Sequence, residues 1–419
     1  MKTLIKAGTL FTAASPSKLQ HQQGILIEGE LIKAVDDWEQ FSPESDTQVI
    51  DAGLQNVFPG LIDAHVHITQ DGSPDDNWLL NAVTEKTATT TLKAARNAFR
   101  HLEMGVTTIR DLGASDWIDI ALRNAINEGW QIGPRILAAG HGITATGGHM
   151  DQRKGLRSTI SPDGLGTIGI AIDGPYEARR AVREQIMGGA DVIKINATLS
   201  EYVRALGLEC SPELTLDEIQ TICEVAHNCK RRVAAHCHGG PGVSTAIEAG
   251  VDTLEHGRFL TDEQLDEMAK RNVYLVPTLS PEGRTIESGI YPEEPADLRW
   301  TEKAIVSMYK TVERAYKRGV KIAAGSDAGM PRVYHGQVSY EINQLVKAGL
   351  SNQDALLSAT RVAAETLGIE KETGSIAPGL FADLIILNRN PINDLTVLQE
   401  REHVLKVFSK GQLVLDRGK

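Results

Sequence analysis

Between residue 58 and about residue 367, short apolar runs alternate with amphipathic stretches about eight times. The candidate strands are Val57–His67, Val106–Asp111, Arg135–Gly140, Asp191–Asn196, Arg232–Cys237, Asp252–His256, Val273–Pro277 and Lys321–Asp327. Helical spacing marks Glu177–Met187, Leu216–Asn228 and Thr261–Arg271. Thr215 and Thr261 stand three residues before Glu218 and Gln264, a capping-box spacing. The alternation predicts an α/β chain built on a (β/α)8 TIM barrel. A doubly wound open sheet is the alternative, but no Gly-rich dinucleotide fingerprint follows the first strand. Long loops are expected at residues 141–175 and 281–295, both rich in turn-forming residues.

The two ends of the chain read differently. Residues 24–35 alternate and turn at Glu28-Gly-Glu30, and residues 381–387 and 404–415 repeat that character around a Lys410-Gly turn. Neither end has enough apolar surface to stand alone. The expectation is one small β-sandwich domain composed of residues 1–57 and 368–419, with the barrel spanning 58–367.

Composition excludes several functions. The net charge of -12 and the lack of a basic run argue against a nucleic-acid partner. The four cysteines have no CxxC spacing, so no disulfide framework is expected. No apolar stretch is long enough to span a membrane, and Lys6 and Gly8 interrupt the first apolar run. A cytoplasmic protein is expected. A homo-oligomer fits a barrel with exposed outer helices.

The chemistry is concentrated at the predicted strand ends. His65 and His67 close the first strand, and residues two apart on a strand share a face. Lys194 lies on the fourth strand, His236 and His238 end the fifth, His256 ends the sixth and Asp327 ends the eighth. Counting His141, His149 and His335, eight of the chain's twelve histidines lie at or just beyond strand ends. In a barrel those ends converge on one face, and metal binding is the simplest cause of such a distribution.

The segment Pro59-Gly-Leu-Ile-Asp-Ala-His-Val-His67, with Lys194, His236, His256, Gly325-Ser-Asp327 and the tail from Gly374 to Ile386, resembles the amidohydrolase superfamily over essentially the whole chain. The resemblance implies a binuclear zinc hydrolase with a carboxylated lysine. It places His65, His67 and Asp327 on one metal, His236 and His256 on the other, and Lys194 between them. Thr146-Gly-Gly-His149 and Ala235-His-Cys-His-Gly239 are similar to a subgroup of prolidases and Xaa-Arg carboxypeptidases related to imidazolonepropionase. By that resemblance His149 and His238 contact the substrate's carboxylate; His335 is a further candidate contact.

The lysine's chemistry is also readable without a family. An ammonium buried inside a barrel loses solvation, which lowers its pKa. The neutral amine can add CO2, and the resulting carbamate has two oxygens suited to bridging cations. A Schiff-base lysine is the alternative. Asp327 is the expected acid–base residue, taking a proton from water and delivering it to the leaving nitrogen. The expected substrate is a small amide, a dipeptide or an N-acyl amino acid with a free C-terminal carboxylate. Another amide, a lactam such as an imidazolone ring, an ester, a toxin-like N-acyl aromatic amino acid or a non-catalytic scaffold are the other readings. Tyr202, Arg204 and Arg332 sit in post-strand loops, but no substrate role is expected of them.

Overall fold

The computed structural model describes residues 2–74, 78–153, 168–199, 211–289 and 298–418. The chain opens with β1 (Lys2–Phe11), β2 (Leu19–Glu28), β3 (Leu31–Asp37) and β4 (Thr47–Pro59). The middle contributes β5 (Leu61–Val66), β6 (Val106–Asp111), β7 (Arg135–Ala138), β8 (Gly142–Ala145), β9 (Gly169–Ile172), β10 (Val192–Asn196), β11 (Arg232–Gly239), β12 (Thr253–Phe259) and β13 (Tyr274–Val276). The chain returns through β14 (Leu384–Leu387), β15 (Val404–Ser409) and β16 (Gln412–Asp416).

Both ends of the chain meet in a single seven-stranded sheet, ordered β16-β15-β14-β4-β1-β2-β3. Its hydrogen bonding is thus one continuous sheet, where two stacked ones were expected. β14 pairs antiparallel with β4, with Leu384 opposite Pro59, and β1 pairs parallel with β4. Ile5, Leu10, Ile25, Ile27, Leu384, Ile386 and Phe408 form its own apolar cluster. β4 runs straight on into β5 past Gly60, so this sheet is covalently and mechanically joined to the strand that carries His65.

The middle of the chain is α/β. Its strands lie in a parallel three-stranded sheet, β5-β6-β7, and a parallel six-stranded sheet, β13-β12-β11-β10-β8-β9. Asp191 N donates to Ala138 O between them. On the other side residues 322–328 bridge β13 and β5 without a regular ladder: Leu275 pairs with Ile322 and Val66 with Ala328. Helices cover the outer face and bury the apolar sides of the strands, including Ile193, Ile195, Val233, Ala235 and Cys237. Both expected capping boxes are formed, Thr215 with Glu218 and Thr261 with Gln264. Among the described residues no helix is long and apolar enough to cross a membrane.

Two expectations need correction. Residues 280–288, expected within a long loop, form a helix with Pro281 in its first turn, where a missing N–H is harmless. Residues 141–175 contain β8 and β9. Gly and Pro marked breaks there, but neither prevents a short element starting beside them.

Candidate metal centre

The ends of β5, β10, β11, β12 and the 324–328 segment converge on one cavity of about 90 Å³. Its wall includes His65, His67, His149, Lys194, His236, His238, His256 and Asp327. The imidazoles crowd together: ring centroids lie 5.4 Å apart for His65 and His67, 5.1 Å for His65 and His256, and 4.6 Å for His236 and His256. His149 stacks on His236 at 4.0 Å, and His238 lies edge-on to His236 at 4.5 Å.

The backbone fixes Asp327 against β5. Ala64 N donates to Ala324 O, Asp327 N to His65 O and His67 N to Ala328 O, all within 2.8–2.9 Å. Asp63 completes the seam by accepting from Ser326 N at 2.8 Å and Ser326 Oγ at 2.5 Å. Gly325 is required there, since a Cβ would meet the His65 Cβ at 2.8 Å and Val276 at 2.5 Å. His256, Thr278 and Asp327 have φ of 72°, 48° and 57°, the left-handed region that such side chains rarely adopt. Backbone held in that region concentrates at functional sites.

Hydrogen bonds on the far side of each ring decide what faces the cavity. His65 Nδ1 donates to Glu255 Oε2 at 2.8 Å, and His67 Nδ1 donates to the Gly113 carbonyl at 3.2 Å. His256 Nδ1 lies 2.7 Å from Thr278 Oγ1. Burial holds His67, His236 and His256 well below the usual imidazole pKa, so these rings are neutral. A neutral imidazole with its proton on Nδ1 has a bare lone pair on Nε2. The Nε2 of His67 and that of His65 each lie 3.5 Å from Asp327 Oδ1. For His67 an electron pair therefore faces a carboxylate oxygen with no proton between them, an arrangement that calls for a cation. An ion about 2.0–2.2 Å from each tetrahedral ligand sets neighbouring ligand atoms roughly 3.3–3.6 Å apart, which matches. His65, His256 and Asp327 also offer ligand atoms within 4.8 Å of one another, a possible metal site. His236 Nε2 is buried without a hydrogen-bond partner, a second atom suited to a ligand role.

Lys194 is buried among these groups, and desolvation lowers its pKa to about 8, against the attraction of Glu255 and Asp327. At pH 7 roughly a tenth of such a lysine is the amine, the form that adds CO2. Beneath the histidines lies a pair that the sequence reading missed. Arg110 Nη2 donates to both oxygens of Glu255, at 2.9 and 3.1 Å, and Arg110 Nε donates to the Ala64 carbonyl at 2.6 Å. Burial opposes ionisation of Glu255, but Arg110 and His65 hold its pKa down to about 2. The signal was present in the sequence: Arg110 and Glu255 are charges within short predicted strands, as is Lys194.

The structure thus gathers every expected metal ligand and both expected carboxylate contacts, His149 and His238, in one cavity. His335 is a correction. It is buried outside that cavity, accepting at Nδ1 from His101 Nε2 at 3.1 Å and donating from Nε2 to the Gln70 carbonyl at 2.8 Å. It braces the loop that follows His67 and lines a separate cavity with Asp71, Arg100 and Tyr334. His141 packs edge-on to Trp117 at 4.9 Å instead of joining the other rings. Arg332 does not line the cavity, and Tyr202 and Arg204 lie outside the described residues.

Comparison with known proteins gives the family. The model of the amidohydrolase family matches residues 56–414. Ochratoxinase of Aspergillus niger is 32% identical over 384 residues, covering 86% of this chain and 76% of that protein. The crystal structure of that ochratoxinase superposes with a TM-score of 0.86 at 26% identity, covering all of this chain and 96% of the other. A Xaa-Pro dipeptidase with methionine bound in its active site superposes with a TM-score of 0.84 at 35% identity over 99% of both chains. A prolidase complexed with N-methylphosphonate-L-proline gives 0.88 at 29% identity over the full length of both. By family match, similarity and site, this chain is a hydrolytic enzyme that belongs to the amidohydrolase family.

Proposed function

We propose that this protein is a binuclear zinc amidohydrolase acting on dipeptides or N-acyl amino acids with a free C-terminal carboxylate. In this reading residues 58–367 are the catalytic unit, its two parallel sheets and the 322–328 segment forming a closed (β/α)8 barrel. Residues 1–57 and 368–419 form the companion β domain, and the protein acts in the cytoplasm. His65, His67 and Asp327 hold one ion, His236 and His256 the second, and a carboxylated Lys194 lies between them. The observation that carries this reading is the bare Nε2 of His67 facing the Asp327 carboxylate 3.5 Å away.

Bound zinc would supply Lewis acidity and a water acidified to near neutrality. The rest is done by the chain. Asp327 accepts the water's proton and returns it to the departing nitrogen, without which an amide leaves poorly. Glu255 and the Gly113 carbonyl keep the protons of His65 and His67 on Nδ1, away from the cavity. The cavity is narrow and lined by Met150 and Met330 as well as the polar groups, which excludes bulk water around the reacting carbonyl.

The likeness to an ochratoxinase at 32% identity favours a second reading, in which the substrate is a toxin-like N-acyl aromatic amino acid. A hydrolysis screen of dipeptides and N-acyl amino acids with Pro, basic, aliphatic and aromatic C-terminal residues separates the two. Cleavage confined to lactams or esters, with no amino-acid amide turned over, would refute both.

A further inference from the structure

Two charged side chains in the cavity wall have no part in the scheme above. Arg258 follows His256 by two residues on β12 and is 3% exposed. Its Nη2 is ion-paired to Glu282 in the helix Ser280–Ser288, and both side chains line the cavity beside His238, His256 and Thr278. Each end of the pair is fixed to the scaffold. The Arg258 carbonyl accepts from Ser307 Oγ at 2.8 Å and Thr311 Oγ1 at 3.4 Å on the helix Leu298–Lys317. The start of the Glu282 helix is fastened by Glu341, which accepts from Leu279 N at 2.8 Å and Ser280 Oγ at 2.6 Å.

Burying a guanidinium is costly, and a structural ion pair is no more stabilising than apolar residues of the same size. A charged pair placed at the wall of a reaction cavity therefore invites a recognition role. A guanidinium is charged at every physiological pH, and its planar fork of five N–H donors can hold more than one carboxylate at a time. A neutral imidazole such as His236 offers one N–H and no charge. A carboxylate drawn into a buried cavity needs a compensating cation at its far end, since bound metals would serve the scissile carbonyl.

We infer that Arg258, held in place by Glu282, is the specificity-determining residue that takes the terminal carboxylate of the substrate. The inference rests on the amide-hydrolase reading and sharpens it: the substrate is an acylated amino acid with its acid free, and amides of simple amines are poor ligands. His149 and His238 then contribute hydrogen bonds, while the charge is met by Arg258.

Calorimetric binding to the zinc-loaded protein tests this apart from turnover. The ligands are N-methylphosphonyl-L-proline and N-methylphosphonyl-L-phenylalanine, each as the free acid and as the carboxamide. The wild type is expected to bind one or both acids roughly 10- to 150-fold more tightly than the matching carboxamide, the scale of one charge-assisted hydrogen-bonding contact. Arg258→Met should erase that difference with metal content unchanged, and Arg258→Lys should keep part of it. Glu282→Gln should retain the acid preference, because the cation remains. If Arg258→Met does not fold, Arg258→Lys and Glu282→Gln carry the test. A wild type with no acid preference overturns the inference, whether both forms bind equally or neither binds. So does an Arg258→Met or Arg258→Lys protein with full preference. Loss of the preference in Glu282→Gln with Arg258→Met unaffected would overturn it too, since a carboxylate cannot itself attract another. Acid preference without hydrolysis of any amino-acid amide would leave the anchor standing and sink the amino-acid-amide reading instead.

Discussion

Replacing Glu255 by Gln separates the support of the histidines from the histidines themselves. Glu255 is fully buried and sits between Arg110 and His65, with Arg110 Nη2 bonded to both its oxygens and His65 Nδ1 bonded to Oε2. Gln has nearly the same shape but no charge. Arg110, itself 1% exposed, is left as a buried cation without its counter-charge. Breaking one side of a buried pair in this way costs about 3–5 kcal/mol. Denaturant titration of the metal-free protein should therefore show a fall of that order. His65 also loses its carboxylate acceptor, so metal affinity measured against a competing chelator should fall about 10- to 100-fold. The double variant Arg110→Met/Glu255→Gln should recover most of the stability, because no unpaired charge remains, but not the metal affinity. An unchanged denaturation midpoint in Glu255→Gln would refute the claim that this pair is coupled. Recovery of both quantities in the double variant would show that Glu255 acts only through Arg110.

Lys194→Ala is expected to lower metal content and abolish hydrolysis, with partial rescue of both by millimolar short carboxylic acids; equal metal content in the variant would make the lysine structural. Asp327→Asn should keep the fold but lose at least about 100-fold in kcat, the scale of general acid–base catalysis, and a variant of near wild-type rate would move the proton transfer elsewhere. Burial raises the pKa of Glu341 from 4.5 to about 8, so the folded state binds a proton that the unfolded chain releases. Stability should therefore fall as pH rises from about 4.5 through about 8 and level off above, by proton linkage. Glu341→Gln keeps an acceptor for Leu279 N and removes this charge, so its advantage over the wild type should grow across that window; a difference independent of pH would contradict the assignment.

The parts of the site legible in the sequence were those that depend on strand position. His65, His67, Lys194, His236, His256 and Asp327 terminate or sit within short apolar runs, and a parallel α/β arrangement brings such ends together whatever the loops do. Helix boundaries marked by capping boxes were equally legible, because the signal is local. His335 was misplaced for the opposite reason. It follows the last strand in sequence, but Gln70 and His101 draw it into a contact no local pattern records. The Arg258–Glu282 pair joins residues from separate elements, and the helix Ser280–Ser288 that carries Glu282 was hidden by its Pro and Gly residues. Arg110 and Glu255 could have been found by asking why charges lie within predicted barrel strands.

The central claim is that the cavity is a two-metal site. Elemental analysis of protein purified without chelator, set beside its hydrolysis rate on an N-acyl amino acid, tests it most directly. About two zinc-class ions per chain are expected, with activity lost on chelation and regained as the second ion returns. Full activity in protein holding less than about one ion per chain would contradict the account.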